Sequence, residues 1–66
     1  MKYILRAKPV SGQPNREARC SYRFFEEVHV VAETLARTWN RPVEIWRDRS
    51  DSTFPVSTVE VPEVNP

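Results

Sequence analysis

His29 and Glu33 stand four residues apart in "EEVHVVAETLARTW", a stretch whose apolar residues recur at helical spacing, so the two share one side of a helix. Such a pair could give a metal ion two ligands. Zinc normally takes three or four protein ligands, and the chain has one histidine and one cysteine, so the set stays incomplete. His29 reads as a helix-face histidine at the margin of the apolar stripe, paired with Glu33. Cys20 and His29 are the one candidate nucleophile and base, nine residues apart with nothing that makes them meet. Glu26 and Glu27 are adjacent and leave a helix in different directions, so they form no carboxylate dyad. The single glycine, Gly12, excludes a phosphate-cradling glycine loop. No cofactor, no metal and no catalytic residue is expected, and the chain reads as a non-enzyme.

An aromatic residue among arginines is the pattern that remains. In "RPVEIWR" Trp46 has the opposite parity to Val43 and Ile45, so it points away from the face those two bury. Ile4 in "KYILRAK" has the same outward parity. Together they suggest a modest apolar patch rimmed by Arg6, Lys8, Arg47 and Arg49, and exposed tryptophan beside arginine is the composition of a protein-binding hot spot. The expected contact set is Trp46 and Ile4 as anchors, with Arg6, Arg19, Arg23 and Arg47 meeting an acidic surface on a larger protein. A blander reading has Trp46 simply packed under its long neighbours. Nucleic acid is the alternative partner, with Lys2, Arg6, Arg19 and Arg23 on phosphates and Trp46 as a stacking platform. Glu44 and Asp48 flank Trp46 on the same face and oppose it.

These residues need elements to hold them. "KYILRAK" alternates Tyr3, Leu5 and Ala7 with Lys2, Ile4, Arg6 and Lys8 and predicts a strand that Pro9 ends; Gly12, Pro14 and Asn15 mark a loop. "REARCSYRFF" reads either as a second strand, with Ala18, Cys20, Tyr22 and Phe24 inward, or as the start of the helix with Ser21 as N-cap. Arg16, Arg19 and Arg23 would oppose a helix dipole there, which favours a helix start between Ser21 and Glu26. Phe25, Val28, Ala32, Leu35 and Trp39 form the apolar stripe, Asn40 suits the stop, and Pro42 prevents continuation. "PVEIWRDR" predicts a strand, and "FPVSTVEV" a last one with Pro55 marking an edge.

The fold class that follows is α+β: one amphipathic helix over about 22–39 packed on a small antiparallel sheet of three or four strands. A crossover through the helix would set the "VEIW" strand beside the N-terminal one, with Lys2, Arg6 and Lys8 facing Glu44 and Asp48. The whole chain, 1–66, reads as a single domain with a loose tail from about residue 62. In so small a sheet an edge strand could also pair with its copy in a homodimer.

With 66 residues and one cysteine the chain lies near the lower size limit for a core without disulfides or metals, which fits a reducing cytoplasm. It carries no signal-like or membrane-length apolar run, so no membrane partner is expected. Net charge is +1, but residues 1–25 carry six basic groups against one acidic, and the remainder four against eight. Two halves of opposite sign either make a basic surface or pair with each other on folding. The most economical function is a small protein-binding module, an adaptor or inhibitor, of the size phages and mobile elements often encode.

Overall fold

The computed structural model describes residues 1–62. Apart from its first position, the expected loose tail lies outside the described residues. The elements are β1 (Lys2–Ala7), β2 (Glu17–Ser21), α1 (Phe25–Trp39), β3 (Val43–Arg47) and β4 (Ser57–Val59). The strands form one antiparallel sheet in the order β2-β1-β3-β4, with α1 packed on one face, an α+β arrangement. The chain leaves β2, runs through α1 and returns as β3 on the far side of β1, the placement expected for "VEIW".

Period-2 alternation decides which side chains meet the helix. Tyr3, Leu5 and Ala7 of β1, Val43 and Ile45 of β3 and Val59 of β4 pack against Val28, Ala32 and Ala36 of α1. These three helix positions repeat every four residues, and two alanines among them let the helix approach the sheet closely. Val31, Leu35 and Trp39 flank that row, half-buried. Phe25, expected in the stripe, is 37% exposed and meets the core edge-on, its ring centroid 6.2 Å from that of Tyr3.

The helix starts three residues later than position 22. The reason lies in the hairpin: β2 runs through Ser21, and the Tyr22 amide donates to the Met1 carbonyl at 3.0 Å, so Ser21 is held in the ladder and cannot cap. Phe24 takes the N-cap position with no side-chain cap, and Glu26 and Glu27 supply negative charge to the first turn instead. At the other end Asn40 adopts a left-handed conformation (φ 53°), its amide bonded to the Arg37 carbonyl and that of Arg41 to the Ala36 carbonyl. That is a Schellman closure, for which asparagine is the usual substitute for glycine.

Gly12 has a φ of +82° in a turn closed by a bond from the Gln13 amide to the Val10 carbonyl, a conformation L side chains adopt only with strain. The last strand is shorter than the pattern in "FPVSTVEV" suggests. Only Ser57–Val59 pair with β3, and Phe54 and Val56 stay exposed on the approach to it. Among the described residues no helix is long and apolar enough to cross a membrane.

Candidate functional site

The helix covers one face of the sheet and leaves the other open. On that open face the register sets Ile4 directly between Arg19 of β2 and Trp46 of β3, and Arg6 directly between Glu17 and Glu44. Trp46 is half-buried. Its indole N–H points to Glu44 Oε1 at a long 3.4 Å, and the Arg6 guanidinium lies over its ring, 5.1 Å from the centroid. Arg6 Nε also donates to Glu17 Oε1 at 2.8 Å. One arginine therefore joins a carboxylate on β2 to an aromatic ring on β3 across its own strand.

Arg19 reaches over β1 in the other direction, its Nη1 3.8 Å from Asp48 Oδ2. The two arginines and the indole flank Ile4, which is only 7% exposed although among the described residues no further element is laid on this face. Ile4 is thus no exposed anchor: being on the middle strand, it is roofed by long side chains on both flanks and serves as the floor under Trp46. The expectation that Trp46 packs beneath its neighbours is met in part, since Arg6 covers one region of the ring.

Beside the indole lies a shallow groove of about 450 Å³, lined by Arg6, Arg16, Glu17, Glu44, Asn15 and Trp46 among others. Arg6 holds the Glu17 carboxyl below its ordinary value, chiefly through the hydrogen bond; desolvation opposes this, and the charges of Arg6 and then Arg19 add to the lowering. Glu17 and the loop residues Asn15 and Arg16 went unnoticed in the sequence. The hairpin register could have found Glu17, because it is what puts that carboxylate opposite Arg6.

Two arginines expected on this face are elsewhere. The β1–β2 register pairs Tyr22 with Met1 and carries Arg23 past the paired strand, where its guanidinium lies 6.0 Å from the Phe24 ring centroid. Arg47 is opposite Tyr3, so its parity is that of the helix side, and it lines a separate hollow with Arg49, Asp51 and Phe54. The open face therefore carries Lys2, Arg6 and Arg19, with Arg16 in the groove, interleaved with Glu17, Glu44 and Asp48. Part of the charge asymmetry along the sequence is cancelled across the strands, where Arg6 pairs with Glu17 and Arg19 with Asp48.

His29 and Glu33 do pair on the helix, Nδ1 to Oε1 at 3.2 Å. Among the described residues no three histidine, cysteine or acidic side chains are grouped to hold a metal ion. Cys20 is half-buried on the helix side of β2, and burial pushes its thiol pKa up, away from the range of an activated nucleophile. No protein-family model, curated protein or solved structure matches the chain.

Proposed function

We propose that the chain is a non-enzymatic protein-binding module of the cytoplasm that docks through the open face of its sheet, with Trp46 as the anchor. One observation carries this reading: a tryptophan under Arg6 at the wall of a groove, on a face that no other element covers among the described residues. The indole offers a large apolar surface with few rotatable bonds, and its orientation is already set, so little entropy is lost when a partner binds. The partner is a larger protein that inserts an apolar side chain beside the indole and meets the alternating charges around it with polar groups of its own. Arg6 and Arg19 act at the rim.

Nucleic acid is the weaker reading, because Glu17, Glu44 and Asp48 stand among the cations that would have to meet phosphates. The test is capture from lysate with nuclease present, comparing the native chain with Trp46→Ala and with Val30→Ala on the far, exposed side of α1. One stoichiometric protein retained by the native chain and by Val30→Ala, and weakened on the order of thirtyfold or more by Trp46→Ala, is the expected result. Each variant's fold is checked by circular dichroism. Retention unchanged by Trp46→Ala, or material that vanishes with nuclease, overturns the reading.

A further inference from the structure

The edges of the sheet are unequal. β4 is three residues long and lies between Pro55 and Pro62, neither of which has an amide proton to offer a further strand. β2 is longer and has no proline within it. Bonds from the Ala7 amide to the Arg16 carbonyl (2.9 Å) and from the Tyr22 amide to the Met1 carbonyl bracket the hairpin, so by alternation Ala18 and Cys20 direct their backbone groups to β1. Glu17, Arg19 and Ser21 direct theirs outward. Among the described residues no backbone or side-chain group meets those three amides.

The layer above β2 is equally incomplete. Helix α1 packs chiefly on β3, less on β1 and β4, and hardly reaches β2. Ala18, Cys20 and Tyr22 are therefore left half-buried on the helix side, next to the exposed edge of Phe25. An open ladder and a half-covered apolar strip therefore lie along the same edge of the sheet.

We infer that β2 is the interface for a second copy of this chain, joined antiparallel about a twofold axis into one eight-stranded sheet with both helices on the same face. Side-chain parity and charge select the register. Pairing Glu17 with Glu17, Arg19 with Arg19, or Arg19 with Arg23 sets like charges opposite each other, and pairing Glu17 with Arg19 sets Arg16 against Cys20 on the apolar side. One nearby register sets no like charges opposite each other and keeps Arg16 off Cys20: Arg19 opposite the partner's Ser21, Glu17 opposite the partner's Arg23, Ala18 opposite the partner's Tyr22, and Cys20 opposite the partner's Cys20, with Arg16 and the partner's Phe24 falling beyond the ends of β2. It uses the outward backbone groups of Arg19 and Ser21, and it closes the apolar strips of the two copies over each other. The interface uses the outer edge of β2 and not the indole, and Glu17 is the residue it shares with the groove beside Trp46.

The test is sedimentation of the full chain from micromolar to millimolar concentration, where a species of twice the 7.7 kDa chain mass is expected. In this register the two Cys20 residues form a non-hydrogen-bonded pair, close enough for diamide to oxidise them to a disulfide, the two thiols giving up two protons and two electrons to the reagent. Ser21→Pro removes an outward amide without touching the bonds to β1 and should abolish the dimer. Arg23→Glu, outside the ladder, should weaken it about tenfold, and adding Glu17→Arg should restore it. A chain that stays monomeric, a dimer untouched by both Ser21→Pro and Arg23→Glu, or a dimer whose Cys20 thiols do not cross-link overturns the inference.

Discussion

Arg6 lies over the Trp46 ring, its guanidinium carbon 5.1 Å from the centroid, while its Nε holds Glu17 at 2.8 Å. One side chain on the middle strand thus fixes groups on both neighbours. Arg6→Ala should cost the domain about 0.5–1 kcal/mol, the size of an exposed cation–π contact, read from the urea midpoint. Arg6→Lys should recover only part of that, because an ammonium cannot lie flat on the ring. In NMR spectra Arg6→Ala should move the Trp46 indole resonance and leave that of Trp39 in place. An unmoved Trp46 signal would show that the arginine does not orient the indole.

Glu17 carries the pH dependence of the same arrangement. Its folded pKa is lowered, first by the hydrogen bond from Arg6. A group with a depressed folded pKa contributes its stability fully above its unfolded value and loses it as pH falls through the folded one. The Glu17 carboxyl signal should accordingly titrate below the ordinary glutamate range, and in Arg6→Ala it should return toward that range. Titration of Glu17 within the ordinary glutamate range in the native chain would rule out a persistent Arg6–Glu17 bond in solution.

Much of this could be read from residue types, and the part that could not has a physical cause. Alternation in "KYILRAK" and "PVEIW" assigns Leu5 and Ile45 to the core and Trp46 to the other face, because parity is local. The helix stop at Asn40 is local too. The start is legible only to within Ser21–Glu26, because Ser21 is a good cap in isolation and only the long-range pairing of Tyr22 with Met1 commits it to a strand. Exposure on the open face also depends on neighbours: Ile4 has outward parity, yet Arg19 and Trp46 stand on either side of it. Alternation carried on from Arg19 puts Arg23 on the open face, but β2 ends at Ser21, and Arg47 has the parity of Val43 and Ile45 and so lies on the helix side.

Arg41 is the residue whose role the sequence concealed most. Its position after the helix suggests only a favourable charge at the dipole's negative end, but it is 4% exposed and its guanidinium is spent on carbonyls. Nε and Nη2 donate to the Lys8 carbonyl at 3.2 and 2.9 Å, and Nη1 to the Pro14 carbonyl at 2.7 Å, tying the β1–β2 loop to the end of the helix. Arg41→Ala leaves both carbonyls without these donors and opens a void, so it should cost about 2–4 kcal/mol, well beyond Arg6→Ala, with Tm falling by more than about 10 °C. Arg41→Lys should recover less than half, since an ammonium cannot reproduce the fork that spans two carbonyls. The tied loop carries Asn15 and Arg16, which line the groove beside Trp46. Arg41→Ala should therefore speed amide exchange in this loop and weaken partner binding while leaving Trp46 untouched, and equal costs for Arg41→Ala and Arg6→Ala would refute the clamp.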